Sequence, residues 1–251
     1  MANIDNHGPT ETDPIDYTSA LYRDPLTEVQ EPARSLLQDW SGIPAGKIAQ
    51  HVNDLILERV KNGDQFLDLG CCFAQEVRLL VAAGAPPQNV FGADLAPDFI
   101  NQGYELFLDK EKLHTRFITS DIFNSESPLA KEFTGRLNII HASNFFHQWG
   151  WAQQIEAGKQ VIKLLAGTSG SMIIGSQVGS KRAREIKFPA LNISAFLHSM
   201  RTFKMLWEKV AQCIGIKLEF NASENRFLDH EKYGWSEEME SVRIIFTVRV
   251  I

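Results

Sequence analysis

Three carboxylates stand where short apolar runs of strand type end. Asp68 lies inside Gln65–Leu69 (QFLDL), Asp94 closes Asn89–Asp94 (NVFGAD), and Asp121 follows Thr115–Ser120 (TRFITS). A carboxylate at a strand end can accept two vicinal hydroxyls bidentately, or an amino group. Each acid alone is more often a helix cap or loop residue, but three at successive strand ends point to one shared ligand. The loop after the first run reads Asp68-Leu69-Gly70-Cys71-Cys72-Phe73-Ala74-Gln75. Gly70 permits a tight turn, and the amides that follow open a helix whose positive end faces the ligand. A dinucleotide fingerprint would need glycine at Cys72 and Gln75, and a phosphate-binding loop would need a downstream Gly-Lys-Ser/Thr. Neither pattern is met.

A second cluster follows the run Leu137–Ala142 (LNIIHA). The segment His141-Ala142-Ser143-Asn144-Phe145-Phe146-His147-Gln148-Trp149 brings aromatics, an imidazole and an amide together. His141, inside the strand, reads as a hydrogen-bonded core histidine. His147 and His198 are the candidate bases if the reacting group is a hydroxyl or phenol, and Arg184 or Arg201 could clamp a carboxylate. A carboxylate acceptor is already ionised at neutral pH and needs orientation rather than a base. Aromatics that could border a cleft are Phe73, Phe145, Phe146, Trp149, Phe188, Phe196 and Trp207, although most aromatics at helical spacing belong to a core.

The elements that must hold these loops alternate. Helical patterns at 74–83, 97–108 and 151–165 separate the strand runs, and a fifth run occupies Ser171–Ser176. A long helix is expected over Ser194–Cys213, then two strands, Ile216–Asn221 and Val242–Val250, with no helix between them. This order predicts an α/β fold, a Rossmann-like, doubly wound seven-stranded sheet, mostly parallel with an antiparallel C-terminal edge. Ligands of such sheets bind outside the carboxyl ends of the strands. Residues 1–16 have the composition of a flexible tail, and 17–62 read as a helical cover or lid over a domain spanning 63–251. The aromatic cover either seals its own protomer's cleft or packs on a second copy in a homodimer, and the sequence leaves both open.

Composition limits the partners. Among 251 residues, 31 acidic against 25 basic side chains give a net charge of −6, the wrong sign for nucleic-acid binding through the overall field. No apolar stretch reaches the roughly 18–20 residues of a membrane span. The acidic, polar N-terminus is unlike a targeting peptide, so a cytoplasmic location is expected. Three cysteines, two of them adjacent, provide neither a disulfide framework nor zinc-ligand spacing, and no metal site is expected.

The Asp68–Ala74 loop resembles the first motif of class I S-adenosylmethionine-dependent methyltransferases, an acid followed by alternating small residues. Asp68 and Gly70 match it, while Cys72 and Ala74 stand where the common pattern has glycine, so a side chain at 72 narrows the cofactor pocket. The resemblance implies S-adenosyl-L-methionine as cofactor, S-adenosyl-L-homocysteine as product, and a cofactor site of Asp68, Gly70, Cys71, Cys72, Phe73, Asp94, Leu95, Asp121, Ile122, Ala142 and Ser143. In it, Asp94 would hold the ribose and Asp121 the adenine amino group. Over residues 17–251 the chain is similar to the fungal methyltransferases of meroterpenoid biosynthesis. The resemblance is carried by Leu-Gly-Cys-Cys-Phe at 69–73, His-Ala-Ser-Asn-Phe-Phe-His at 141–147 and the His198, Ser199, Phe203, Leu206-Trp207 pattern. Tyr17…Leu21-Tyr22-Arg23 and Trp40–Pro44 add to it. That similarity implies methyl-ester formation on a hydrophobic carboxylic acid, a prenylated aromatic acid, with Tyr17, Asn144, His147, Trp149 and His198 touching the substrate. The alternatives are methylation of a phenol or hydroxyl, and a non-catalytic protein that only binds the cofactor.

Overall fold

The computed structural model describes residues 48–188, 193–226 and 240–251. The expected tail (1–16), Tyr17 and most of the cover (17–62) lie outside the described residues. The part of the cover that is described is the helix α1 (Ile48–Lys61), which ends at Asn62-Gly63, with Gly63 in the left-handed region at φ +109°.

Beyond it the chain alternates. The order is β1 (Phe66–Leu69), α2 (Gln75–Ala82), β2 (Val90–Asp94), α3 (Pro97–Phe107), β3 (Arg116–Thr119), α4 (Pro128–Phe133), β4 (Ile139–His141), α5 (Trp151–Leu164) and β5 (Met172–Ser180). A hairpin of β6 (Arg184–Phe188) and β7 (Ile193–Leu197) comes next, then α6 (Met200–Ile214), β8 (Leu218–Arg226) and β9 (Ser241–Val250). The main sheet has the order β3-β2-β1-β4-β5-β9-β8. Pairing is parallel from β3 to β5, and β9 inserts antiparallel between β5 and β8.

Alternation along the strands gives the sheet two buried faces. Leu67, Ile140 and Ile173 point to the face covered by α4, α5 and α6, with Phe203, Leu206, Trp207 and Val210 of α6 at its centre. Phe66, Ile139 and Met172 point to the opposite face, with Val60, Val77 and Ile100 from α1, α2 and α3. Among the described residues no helix is long and apolar enough to cross a membrane.

Two expected elements are corrected. Residues 194–213 are not one helix: Ile193–Leu197 is a strand that pairs antiparallel with Arg184–Phe188, with Ala195 and Leu197 buried. The helix starts only at Met200, where Ser199 and Thr202 form a reciprocal capping box. The fifth strand runs to Ser180, well past Ser176, because β9 pairs with its whole length. Both changes add structure beyond the carboxyl ends of the parallel strands, the side on which the loops gather.

Candidate functional site

The β1–α2 loop is tied to the neighbouring strand. The N–H groups of Gly70 and Cys71 both donate to the Ala93 carbonyl, at 2.8 and 3.0 Å. Gly70 has φ +73°, and a Cβ there would lie 3.0 Å from the Phe145 ring. Cys72 (φ +50°) and Ala74 (φ +55°) also adopt the left-handed conformation. The backbone therefore keeps a shape that favours glycine at the two places where the sequence lacks it, a strain of about 1 kcal/mol or more for each residue. Cys72→Gly is expected to raise the melting temperature by about 2–4 °C, corresponding to about 1 kcal/mol in a domain of this size, without weakening cofactor binding. Thermal unfolding with and without S-adenosylmethionine checks this; a lower melting temperature would show that the thiol packs well enough to outweigh the strain. Burial pushes both neighbouring thiols, Cys71 and Cys72, above the ordinary cysteine range, so they are neutral side chains at pH 7 rather than a reactive pair.

Asp94 joins two loops. Its Oδ2 accepts from the Cys72 N–H at 2.8 Å and its Oδ1 from the Ala96 N–H at 2.9 Å, which leaves each oxygen a further lone pair for a ligand hydroxyl. Beside it Leu95 is 68% exposed, an apolar side chain without protein cover. At the end of β3, Asp121 is exposed and accepts from the Phe123 N–H at 2.9 Å, Ile122 is half-buried, and the Ser120 hydroxyl is buried without a hydrogen-bond partner. A ribose-bearing, partly apolar cofactor fits this arrangement of carboxylates, uncovered leucine and orphaned hydroxyl. Asp94→Ala is expected to weaken S-adenosylmethionine binding about 10- to 100-fold, the equivalent of about 1–3 kcal/mol for lost hydrogen bonds to a charged group. Calorimetric titration checks it, and an unchanged affinity would overturn the ribose assignment.

Asp68 lies beneath the loop. It is buried, and its Oδ1 is 2.8 Å from His141 Nδ1. His141 is the hydrogen-bonded strand histidine that its position suggested, and its Nε2 is 2.8 Å from the Ser143 hydroxyl.

Arg78, on α2, does work that the sequence did not advertise. Its Nε and Nη2 donate to Asp109 Oδ2 and Oδ1 at 2.7 and 3.0 Å, and its Nη1 donates to the Phe73 carbonyl. The guanidinium also lies 4.6 Å from the centre of the Phe107 ring. One arginine thus fixes the cofactor loop to the end of α3, while a Cβ added at Gly103 of that helix would come within 2.7 Å of the same Phe73 carbonyl. No local motif signals a contact between residues 31 positions apart.

The loop after β4 presents the second cluster. Asn144 has φ +51°, is exposed, and donates its N–H to the Ser176 carbonyl at 2.6 Å. Ala142, Phe145 and Phe146 are buried, so these two phenylalanines serve the core, as does Trp207. Trp149 is half-buried, edge-on to Phe123 and Phe145 at 5.1 and 5.0 Å between ring centres. The Gln154 amide donates to the Trp149 and Phe196 carbonyls, both at 2.8 Å, and pins this loop to the β6–β7 hairpin. His147 is half-buried with Nδ1 enclosed and unbonded, and burial lowers its pKa to about 4.

His198 is a correction. It is fully buried, with Nε2 3.0 Å from Gln154 Oε1 and Nδ1 3.1 Å from the Thr202 hydroxyl. Both ring nitrogens are committed inside the protein, so the ring braces Gln154 and offers a substrate nothing. Arg201 is exposed at the start of α6.

A sheet of order 3-2-1-4-5-7-6 in strand sequence has the architecture of the class I S-adenosylmethionine-dependent methyltransferases. The chain matches the fungal "Methyltransferase adrK" of Penicillium roqueforti, 36% identical over 231 residues covering 80% of this chain and 83% of that protein. It also matches "O-methyltransferase phiE" of a fungal species, 38% identical over 170 residues covering 67% of this chain and 57% of that one. The chain belongs to this family of fungal methyltransferases. Among solved structures it is similar in fold to the Burkholderia thailandensis 1,6-didemethyltoxoflavin-N1-methyltransferase bound to S-adenosylhomocysteine, with a TM-score of 0.54, 12% identity, and coverage of 86% of this chain and 84% of that one. No family model matches the sequence.

Proposed function

We propose that the protein is an O-methyltransferase of fungal secondary metabolism that forms a methyl ester on the carboxylate of a large hydrophobic, meroterpenoid-type acid. The observation that carries this reading is the state of the acceptor loop's imidazole. With a pKa lowered to about 4 by burial, His147 is neutral at physiological pH and a poor base toward a phenol. A carboxylate needs no base, only alignment and exclusion of water, to which the edge-on pair of half-buried rings Trp149 and Phe123 contributes. The name of phiE supports oxygen as the methylated atom.

S-adenosylmethionine, when bound, supplies an electrophilic methyl group on a sulfonium. Asp94 holds the ribose, Asp121 and Ile122 the adenine, and the Gly70–Phe73 loop, with Ala142 and Ser143, lines the remainder of the cofactor site. The helix-opening amides expected to face the ligand are instead spent on the Ala93 carbonyl (Gly70, Cys71) and on Asp94 (Cys72), which shapes the loop. Asn144, His147 and Trp149 orient the acceptor.

Incubation with a panel of prenylated aromatic acids tests the assignment. A product whose new methyl group is removed by mild base is expected. A base-stable product would be an ether and would refute the carboxylate reading, and cofactor binding without turnover would refute catalysis. His147→Ala is expected to lower kcat about tenfold with S-adenosylmethionine affinity unchanged, the size of one lost orienting contact. The loss should be the same at every pH above about 6, because an imidazole with a pKa near 4 does not titrate there. A loss that grew or shrank between pH 6 and 9 would make His147 a titrating participant and overturn its positioning role.

A further inference from the structure

A line of polar side chains crosses one otherwise apolar face of the sheet at its carboxyl end. Phe66, Ile139, Met172 and Ile174 occupy that face nearer the amino ends of the same strands. The line starts at Asp68 on β1, whose Oδ1 is 2.8 Å from His141 Nδ1 on β4. His141 Nε2 is 2.8 Å from Ser143 Oγ, which accepts from the Ser176 N–H of β5 at 3.1 Å. Arg243 of β9 reaches Ser176 Oγ at the far end, with Nε and Nη2 at 3.2 and 3.1 Å. We infer that Asp68 and His141 set the direction of the Ser143 hydroxyl, and that Ser143 is the positioning residue for the non-reacting oxygen of the acceptor carboxylate. The inference rests on the carboxylate reading above and gives the side chain of Ser143 a task separate from any backbone contact with the cofactor.

The donor count explains the switch. Asp68 accepts the Nδ1 proton whether His141 is neutral or charged. With a neutral ring, Nε2 has a lone pair, so the Ser143 hydroxyl must donate inward to it and presents no proton to an anion. With a charged ring, Nε2–H donates to Ser143 Oγ. That oxygen then accepts from both His141 and the Ser176 N–H, and its own proton is released from the ring to point outward to a carboxylate, in competition only with the longer 3.5 Å contact to Ser176 Oγ. Among the described residues the charged groups facing His141 are Asp68 from β1 and Glu76 from α2, and Arg243 of β9 bonds Ser176 at the other end of the line; α1 contributes apolar Ile56, Leu57 and Val60 to this face. Burial by itself would lower the His141 pKa, but the hydrogen bond and charge of Asp68, with the charge of Glu76, outweigh it and hold the value above that of an ordinary histidine. The charged ring is therefore present below this raised value and is lost as pH rises through it. Methylation of a carboxylate should fall over the same range.

The experiment uses the full chain with a prenylated hydroxybenzoic acid, a probe that offers a carboxyl and a phenol in one molecule. Wild-type kcat/KM for ester formation is expected to fall as pH rises through the raised His141 value, above the ordinary histidine range. Ser143→Ala and His141→Gln, the second keeping a donor for Asp68, should each abolish that falling limb. Ser143→Ala should also raise the KM for the acid about tenfold while S-adenosylmethionine affinity changes by less than about twofold, as for one lost hydrogen bond to a charged group. If the limb persists in both variants, or if Ser143→Ala weakens cofactor and acid equally, the inference is wrong. Failure of the carboxylate reading looks different: the wild-type product is then a base-stable ether, and its rate rises with pH. His141→Gln and Ser143→Ala alter the relay at two separate places, so misfolding of one leaves the other decisive.

Discussion

Arg78→Ala is expected to lower stability by about 3–5 kcal/mol and to loosen cofactor binding at the same time. The size follows from what remains behind. The guanidinium and the Asp109 carboxylate are only 10% and 18% exposed, so removing the arginine strands a largely desolvated carboxylate, the situation in which a broken ion pair is most costly. The same deletion releases the Phe73 carbonyl, in a loop that already holds Cys72 and Ala74 in left-handed conformations. A strained loop that loses its external tie should relax, and the relaxed loop no longer aligns its amides with Asp94. Arg78→Lys separates charge from geometry. Lysine keeps a cation near Asp109 but cannot supply the two parallel bonds and the carbonyl contact together, so it should recover less than half of the lost stability. Urea unfolding of the three proteins, with calorimetric titration of S-adenosylmethionine, checks both effects. A loss below about 1 kcal/mol would mean that the pair behaves as a solvated surface bridge.

Arg78 also marks where sequence reading stops. The strand–helix alternation follows from local hydrophobic periods, and the three acids could be placed because a strand's end is visible in its own few residues. The left-handed conformation at 72 and 74 was not read from the sequence, which showed only the missing glycines and a narrower pocket. Contacts that depend on how distant elements pack left no such trace. The Arg78–Asp109 pair, the Asp68–His141–Ser143 line and the Gln154 brace all connect different elements, and none of these pairings is visible in a residue's own neighbourhood, even where Asp68 and His141 were themselves conspicuous. His198 shows the same limit from the other side. Its candidacy as a base and the family resemblance suggested a substrate contact, but a capping box at Ser199 and a strand before it turn the ring inward onto Gln154. The β6–β7 hairpin was hidden because Ile193–Leu197 runs directly into an amphipathic helix, and the apolar residues of both merged into one apparent period.

Trp207→Ala should be the most disruptive change in the core, costing about 3–5 kcal/mol, the range for truncating a buried tryptophan. Trp207 is 1% exposed and meets Phe146 edge-on at 5.2 Å, with Phe203 and Phe246 at 6.1 and 6.4 Å. Because Phe146 sits on the acceptor loop and rests on this ring, the cavity should be felt at His147 as well. The indole N–H adds a second, opposing effect, because it is buried without a hydrogen-bond partner and already costs the fold some desolvation. Trp207→Phe removes that orphaned donor while keeping an aromatic ring for Phe146 to contact, so its loss should stay below about 1.5 kcal/mol. In a domain of this size the alanine variant should melt about 10 °C lower and the phenylalanine variant within about 4 °C of wild type. Turnover should follow the same order at a temperature where both variants remain folded, since the phenylalanine still supports Phe146. Equal destabilisation by the two substitutions would mean that the indole's full shape, rather than aromatic contact with Phe146, holds the acceptor loop in place.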